Sequence, residues 1–321
     1  MAREFVWIVK ESSYKAPMAA PVAGADSLYL RLDGGNAFRM RPKPIQVPIM
    51  YGGGLAVPAL AVSDQVECKG SLRTKLYASQ APLLLGWAGT RIDPARAAPW
   101  ATTEPAGDLA SCSVYHAIQR PDGTYRRRAY LGTKVAGGSI ECRRDAPVAT
   151  LRLDLQASTP QGNQFDGSAD PTPAAFPAPA EAAYPTDPYL FLHTAGHLSI
   201  GGTRTLYSAV RIDFANKLDP RWFEDRFVSL IRSLGRESTL TAKLYYKPTP
   251  DDRAAFEGLR AQALALAFDN GSHSATFTFH AQNVYKDLND DLPLDKVYEQ
   301  EIVVGSYFDP VAAADWSVAF T

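Results

Sequence analysis

The chain has 321 residues, 46% hydrophobic and 21% charged, with a formal net charge of −1 at pH 7. These values fit a folded protein of one or two ordinary domains and exclude a chain dominated by disorder. No segment approaches 18 consecutive apolar residues and no basic region precedes an apolar run at the N-terminus, so we expect neither membrane insertion nor export. Three cysteines without a CxxC pair favour a reducing compartment and buried, inert thiols.

The charge is unevenly divided along the chain. Residues 1–157 carry 20 Lys and Arg against 13 Asp and Glu, whereas residues 158–321 carry 13 against 21. Halves of opposite sign would attract each other head to tail between copies, and such contacts can close into a ring. Charge drift without functional consequence is the alternative.

The first half of the chain is predicted to be β-rich. Residues 1–26 predict an extended N-terminal arm, and prolines at positions 42, 44 and 48 predict an edge strand because proline cannot donate to a ladder. Residues 51–63 predict an apolar loop whose triple glycine lacks a phosphate-binding pattern. The remaining elements are predicted as a strand at Asp64–Tyr77, a helix at Ala81–Ala88, a Pro-rich loop at 92–107, and strands at Ser111–Arg120, Tyr125–Lys134, Ser139–Arg144 and Val148–Ala157.

A Pro-rich segment separates the two halves. Residues 158–188 contain seven prolines and predict an extended, semi-rigid linker between a first domain at 1–157 and a second domain at 189–321. In the second domain, residues 239–284 predict strand, helix, strand, turn and strand. The helix is expected to begin near Thr249 and Pro250 and to bury Ala255, Phe256 and Leu259. Residues 217–237 expose many large apolar groups, which would either fold onto the sheet or form an interface.

Four short segments of the first half resemble segments of the second half. Ser71–Tyr77 parallels Thr239–Tyr245 at an offset of 168 residues, and a helical segment follows both. The other matches pair 114–117 with 278–281, 30–35 with 197–202, and 151–155 with 316–320, at offsets of 164, 167 and 165. The shared order and spacing predict a duplicated domain, so the fold class is expected to be mainly β: two tandem β-sandwich or half-barrel domains, each with a flanking short helix.

Sequence patterns of catalytic and metal sites are weak. His193 and His197 have HxxxH spacing, but their surroundings are extended and no third ligand is near. Asp287–Asp295 resembles a calcium loop at its first positions, yet position six is Leu292 and position twelve is Tyr298. His116 and His280 lack a nucleophile elbow, which favours packing or hydrogen bonding. We therefore expect no cofactor, no metal and no enzymatic activity.

The second half is similar to a known family at several places. These are 189–192, 197–201, 211–216 continuing into 218–221, 235–237 and 316–320, and the opening residues 4–7 and 11–17 also match. The chain thus resembles the tail tube proteins of long-tailed bacteriophages, in their larger class. Its long Pro-rich linker and its segment at 41–63 depart from that family.

The resemblance implies a structural virion protein, assembled in the host bacterial cytoplasm into stacked rings that form the DNA-conducting channel of the tail. Its implied partners are further copies of itself, the tape measure protein and transiting DNA in the lumen, and a tail terminator. A ring of three chains would have pseudo-sixfold symmetry, and a ring of six chains is the alternative. Candidate contacts between subunits or rings are Tyr51, Leu55, Val57, Trp222, Phe223, Phe227, Leu230 and Ile231, and candidate acidic lumen or loop residues are Asp287, Asp290, Asp291 and Asp295.

Two other functions fit the same sequence. A receptor- or carbohydrate-binding β-sandwich protein would stack sugars on Trp222 and tyrosines, and it would be a stable monomer. A tail terminator or joining protein would share the fold and stop at one ring. The uneven charge distribution favours the tube.

Overall fold

A computed structural model describes most of the chain, and it is mainly β with two sheets and a short helix. The structure describes residues 4–19, 21–22, 26–33, 39–50, 56–93, 108–119, 121–123, 125–161, 194, 196–245, 256–259, 261, 263–280, 283–289, 299–311 and 314–321. The expected mainly β sandwich fold is confirmed.

In its described residues the first half contributes ten strands and the helix. They are β1 (Glu4–Ser13), β2 (Ala16–Pro17), β3 (Ser27–Leu30), β4 (Arg39–Met50), β5 (Ala56–Lys75), α1 (Ala81–Trp87), β6 (Arg91–Asp93), β7 (Cys112–Gln119), β8 (Tyr125–Arg143), β9 (Thr150–Ala157) and β10 (Thr159–Gln161).

The second half contributes nine strands within the residues that the structure describes. They are β11 (Gly196–Ile200), β12 (Thr203–Thr205), β13 (Tyr207–Arg221), β14 (Leu230–Tyr245), β15 (Leu264–Asp269), β16 (Ser274–Phe279), β17 (Asn283–Asn289), β18 (Glu299–Ser306) and β19 (Trp316–Phe320).

One antiparallel sheet runs through both halves of the chain. Its strands pair in the order β4-β5-β9-β8-β13-β14-β18-β17. We call this the main sheet, with a first block of β4, β5, β9 and β8 and a second block of β13, β14, β18 and β17. Both blocks have the same internal order, since β5 and β14 each lie between a hairpin partner and a strand from later in their half. The blocks meet where β8 pairs with β13.

A second layer covers one face of the main sheet. In the second half it is the sheet β12-β11-β15-β16-β19-β6, to which β6 of the first half adds a parallel edge. In the first half β1 lies between β3 and β7, as β15 lies between β11 and β16. Leucine, valine and phenylalanine side chains of both layers and of α1 form one continuous core. Burial of this apolar surface is the main force that holds the layers together.

The helix fits into this core through an apolar sequence that is buried on nearly every side. Pro82 lies in its first turn, where a missing N–H is tolerated, and three leucines follow. At the other end the carbonyl of Ala88 accepts hydrogen bonds from Arg236 Nη1 and Asn216 Nδ2, both at 3.1 Å. Residues of the second half therefore cap the C-terminal end of the first half's helix. The C-terminal end of a helix is electronegative, so the Arg236 cation is favourable there.

Trp316 of β19 joins the two layers of the second half. It is fully buried, and its ring stacks on Phe279 with centroids 6.1 Å apart and contacts Phe277 at 5.9 Å. Its Nε1–H donates to Ser238 Oγ of the main sheet at 3.1 Å. The Arg236 guanidinium lies 5.1 Å from the same ring, a favourable cation–π distance.

Three of the four sequence matches between the halves fall on strands that occupy equivalent positions in the fold. These are β3 with β11, β5 with β14, and β7 with β16. The fourth does not, because β9 lies beside β5 in the main sheet whereas β19 lies beside β16 in the other sheet. The strand that lies beside β14 is β18, so β18 is the counterpart of β9. Alternating apolar residues are common to both strands and cannot distinguish them. The division into two domains joined by a linker stays a prediction; residues 159–161 form β10, and 162–188 lie outside the described residues.

Several local predictions were wrong. Residues 125–143 form one strand rather than two, because β8 bends from the β7 side into the main sheet through a bulge beside Gly137. Strand β5 begins at Ala56 inside the predicted loop, and Pro58 is tolerated because this hairpin has no further described partner. The expected N-terminal arm contains β1, a strand paired on both sides. Leu259, expected in the core, is 69% exposed at the end of a helical turn; Thr249–Ala255 lie outside the described residues.

We predict that Trp316→Ala lowers the free energy of unfolding by about 3–5 kcal/mol, because it removes a large buried ring and leaves a cavity between the layers. Urea denaturation followed by circular dichroism measures this loss. The matched control is Val311→Ala, since Val311 is 94% exposed and its truncation should change stability by less than about 0.5 kcal/mol. Equal effects of the two substitutions would contradict the role assigned to Trp316.

Candidate assembly interface

The face of the main sheet that points away from the core is polar and strongly charged. Strand residues alternate between the two faces, so each strand sends every second side chain to this outer face. The charged residues there are Glu67, Lys69, Arg73, Lys75, Glu141, Arg143, Arg152, Asp154, Arg211, Asp213, Lys217, Glu237, Lys243, Asp287 and Glu301. Among these residues, whose side chains the structure describes, the two signs occur in nearly equal number.

Most of these charges neutralise each other within a strand. Arg152 and Asp154 lie 2.9 Å apart, Arg211 and Asp213 2.7 Å, and Glu141 and Arg143 2.9 Å. Residues i and i+2 of a strand share a face, so a long guanidinium reaches the neighbouring carboxylate easily. The hydrogen bonds that Arg211 donates to the Asp213 carboxylate raise the pKa of Arg211. Exposed pairs contribute little to stability, so their effect is to leave few unpaired cations on the face.

Ion pairs also connect neighbouring strands. Lys243 of β14 lies 3.6 Å from Glu301 of β18. Lys217 of β13 pairs with Glu237 of β14, and a hydrogen bond from Lys217 lowers the pKa of the Glu237 carboxyl. The mutual neutralisation thus extends across the second block.

Both ends of the main sheet have an available edge. In the described part of the chain β17 pairs with β18 alone, and β4 pairs with β5 alone. An unpaired strand edge presents a row of backbone N–H and C=O groups that can bind another strand. The two edges lie at opposite ends of the sheet, which is the arrangement required for head-to-tail pairing of copies.

The contact between the two blocks shows how such edges can join. Seven residue pairs connect β8 and β13, from Ala209 opposite Arg143 to Ala215 opposite Gly137. The strands approach so closely that a Cβ on Gly137 would lie 2.7 Å from the Phe214 carbonyl oxygen. A Cβ on Gly138 would lie 2.3 Å from the Arg152 carbonyl oxygen. Glycine is required at both positions because no side chain fits there.

The segment between β13 and β14 also reaches from the second half to the first. We call residues 222–229 the crossing loop. The backbone N–H of Val66 donates to the Arg226 carbonyl at 3.0 Å, and Val66 forms a parallel bridge with Phe227. The carbonyl of Val228 accepts hydrogen bonds from Ser158 Oγ and, at 3.1 Å, from Lys15 Nζ. The crossing loop thus closes over the first block next to the β8–β13 contact.

A buried carboxylate holds the N-terminal part of this contact in place. Glu11 is fully buried and accepts hydrogen bonds from the hydroxyls of Ser111 at 2.6 Å and Ser113 at 2.7 Å. It also accepts from the backbone N–H of Gly132 at 2.7 Å and of Lys15 at 2.9 Å. A buried carboxylate is tolerated only when it is well hydrogen-bonded. These bonds fix the turn that presents Lys15 to the crossing loop.

The predicted contact residues have different environments. Phe223 is 68% exposed, Trp222, Phe227 and Leu230 are partly buried, and Ile231 is completely buried within the chain. Ile231 is therefore a core residue of the subunit, since its side chain points inward where β14 begins. Tyr51 and Leu55 lie outside the described residues, and Val57 belongs to β5 near the tip of the β4–β5 hairpin.

Among the predicted acidic residues, Asp287 lies on the outer face of the main sheet, opposite Val303 of β18. Asp290, Asp291 and Asp295 lie outside the described residues. Sequence reasoning missed the repeated ion pairs, although an Arg-x-Asp spacing at 152–154 and 211–213 was visible in alternating strands. The prolines at 42, 44 and 48 predicted an edge strand, and β4 lies at an edge of the main sheet in the described part of the chain. No sequence pattern marked the other edge, β17.

In the described residues, the histidines and cysteines considered as candidate catalytic or metal-binding groups make hydrogen bonds or are buried. His116 Nε2 hydrogen-bonds with Glu4 Oε1 at 2.6 Å and His280 Nε2 with Ser317 Oγ at 3.1 Å. The three cysteines are free and buried, and burial raises the pKa of the Cys68 and Cys142 thiols to about 12. Over the described ranges, His, Cys, Asp and Glu side chains form no group of three that could hold a metal. Within the same ranges, no helix has the length and apolar character needed to cross a bilayer.

Comparison with known families gives one match. A family model described as phage tail tube protein matches residues 1–302. This range includes seven of the eight strands of the main sheet completely and the beginning of β18. No individual curated protein matches the chain.

We predict that Glu11→Ala lowers the free energy of unfolding by about 3 kcal/mol or more, since it leaves several buried donors without an acceptor. Glu11→Gln should lose less, because its amide keeps one oxygen acceptor. Denaturant titration measures both variants, with Asp145→Ala as the control, since Asp145 is exposed and its ion pair is long at 3.8 Å. A loss for Glu11→Ala no larger than that of the control would contradict the role of this carboxylate.

Proposed function

Because the chain belongs to the phage tail tube protein family, we propose that it assembles edge to edge into closed rings that stack to form the DNA-conducting channel of the tail. Its role as a structural virion component follows from the family. The ring, its symmetry and the channel are the proposal. The observation that carries it is the β8–β13 contact, in which the chain already joins two equivalent blocks of strands edge to edge.

The same contact can be repeated between copies. In the first block Glu141 of β8 lies opposite Thr150 of β9, and Thr150 lies opposite Lys75 of β5. In the second block Asn289 of β17 lies opposite Glu301 of β18, and Glu301 lies opposite Lys243 of β14. Lys75 and Lys243 are equivalent at the offset of 168 residues. Asn289 therefore has the position of Glu141. The edge strand β17 of one copy can therefore pair with a second copy in the way that β8 pairs with β13 within the chain.

The edge on the β4 side of the first block can likewise be compared with β13 of the second block. Arg211 of β13 lies opposite Thr241, which is equivalent to Arg73 of β5. The residue beside Arg73 is Asp33, whose backbone N–H donates to the Arg73 carbonyl at 2.8 Å. Since Glu141 pairs with Arg211 within the chain, Asn289 of one copy would lie opposite Asp33 of the next.

Three chains would place six blocks in a ring with pseudo-sixfold symmetry. The basic first half of one copy would meet the acidic second half of another at every junction, which favours head-to-tail order. Such a ring would contain about 24 strands, more than the 16–18 strands that already leave an aqueous channel in porins. A ring of six chains is the alternative stoichiometry.

The outer face of the main sheet would line the channel, because its other face is covered by the second layer. Asp287 and the paired charges of β8, β9, β13 and β14 would then face the lumen. DNA phosphates bind mainly to cations that are free to release counterions. Arginines held by carboxylates two residues away would let DNA, and the tape measure protein before it, move past without sticking. A tail terminator would cover the final ring.

The edge contact predicts a specific disulfide. In a chain carrying Asp33→Cys and Asn289→Cys, oxidation should link neighbouring copies, because directly opposed Cα atoms in antiparallel strands lie about 4.5–5.5 Å apart, within disulfide range. Non-reducing gel electrophoresis should show covalent products of up to three chains. A ladder that extends to six chains would support the hexameric alternative.

The control pair is Asp33→Cys with Glu301→Cys. Glu301 lies opposite Asn289 but one strand further from the edge, so its thiol would be too distant to form the bond. The buried native thiols should stay unreactive at pH 8, well below a pKa of about 12 for Cys68 and Cys142. Equal cross-linking of both pairs, or none in assembled protein, would contradict this edge contact.

The charge pairing predicts how DNA interacts with assembled tubes. Asp154→Asn combined with Asp213→Asn would free Arg152 and Arg211 from their carboxylates, so tubes should bind short duplex DNA more tightly, with affinity that falls steeply as salt increases. Fluorescence anisotropy at several salt concentrations measures this. Asp145→Asn combined with Glu224→Gln changes net charge equally without freeing these arginines. Unchanged binding by the first pair, or equal gains by both pairs, would argue against a lumen lined by this face.

A further inference from the structure

An exposed apolar patch lies beside the free edge of the second block. It consists of Leu234, Tyr307, Phe308 and Val311, which are 68%, 53%, 64% and 94% exposed. Because Ser238 of β14 lies opposite Ser306 of β18, the residues that follow Ser306 run beside those that precede Ser238. Clusters of exposed aromatic and aliphatic groups mark interaction sites in soluble proteins.

The equivalent surface of the first block is covered. At the offset of 168 residues Leu234 corresponds to Val66, which is only 2% exposed because it lies beneath Arg226 and Phe227 of the crossing loop. The segment that follows β18 corresponds to the segment that follows β9. In that segment Ser158 is buried and donates to the Val228 carbonyl. The crossing loop thus covers this surface in the first block, whereas the equivalent surface of the second block is exposed.

We infer that the apolar patch is the docking surface for the β4–β5 hairpin of a second copy. This inference rests on the proposed edge-to-edge ring. The crossing loop connects β13 to β14, and its counterpart is the distal part of the β4–β5 hairpin, which connects the equivalent strands of the first block. When β17 of one copy pairs with the β4 side of the next, that hairpin reaches the apolar patch as the crossing loop reaches Val66.

The occupant has suitable chemistry and length. The distal hairpin sequence is rich in apolar residues, namely Val47, Ile49, Met50, Val57 and Leu60. Strand β5 begins at Ala56, whereas β14 begins at Leu230, which is equivalent to position 62. The hairpin therefore extends about six residues further along the strand than its counterpart and can cover a larger surface. Apolar residues of such a sequence gain free energy when they meet an exposed apolar patch and exclude water from it.

Position-specific cross-linking tests the docking. Phe227, which bridges Val66, is equivalent to Ala59 of β5 at the same offset. A chain with Ala59→Cys and Leu234→Cys should therefore form disulfides between copies in assembled protein. The control carries Ala59→Cys with Thr203→Cys, which lies on β12 in the other sheet and should not link. A second readout is Phe308→Asp, which should raise the protein concentration required for assembly at least about tenfold, corresponding to ~1.4 kcal/mol.

The outcomes separate this inference from the proposed ring. Cross-linking of Ala59→Cys with Leu234→Cys and impaired assembly of Phe308→Asp would support the docking. If Asp33→Cys and Asn289→Cys cross-link but Ala59→Cys and Leu234→Cys do not, the ring stands and the docking is overturned. Unchanged assembly of Phe308→Asp would also overturn it, provided that circular dichroism shows the variant to be folded. Failure of both cysteine pairs in assembled protein would overturn the proposed edge contact itself.

Discussion

Pairing between β8 and β13 is the interaction on which the rest of the structure depends. It joins backbone groups of both halves, and it requires glycine at 137 and 138 because the Phe214 carbonyl approaches the first and the Phe214 ring approaches the second too closely for a side chain. Without it the chain would have two four-stranded blocks with four open edges. With it, the edges that remain in the described part of the chain, β4 and β17, lie at opposite ends of one sheet. In the proposed ring, an interaction inside the subunit would thus set the direction in which copies add to one another.

Buried polar groups make this contact rigid. Arg236 of the second half reaches the end of α1 in the first half and lies 3.1 Å from Asp315, while burial of its guanidinium lowers its pKa. Lys134 of β8 is completely buried and pairs with Asp108 at 3.0 Å. The other oxygen of that carboxylate accepts the Ser233 N–H of β14 at 3.0 Å. Each charge is paired, so the two halves are held in a defined orientation at a modest desolvation cost.

The two faces of the main sheet follow different physical rules. The core face combines alternating leucine, isoleucine and valine side chains with the aromatic cluster around Trp316, and it is closed by the second layer. The outer face carries charges that neutralise one another along β5, β8, β9 and β13 and between β13, β14 and β18. Such a surface remains hydrated and soluble without presenting a continuous field of either sign. The proposed tube would need both properties, since it would hold together through one surface and let a polyanion pass along another.

The sequence by itself determined the mainly β class, helix α1, most strand positions, the related halves and the resemblance to tail tube proteins. These depend on local alternation, turn residues and spacing, which a single chain records directly. Only the tertiary structure decided that β9 corresponds to β18, that β1 is a central strand, and that Ile231 is internal while Leu234 is exposed. It also decided where the charges of 152–154 and 211–213 lie and that β17 is an open edge, whereas the prolines of β4 had already predicted an edge strand there. Alternation fixes the two faces of a strand, whereas its neighbours and the layer that covers each face depend on contacts between residues distant in sequence.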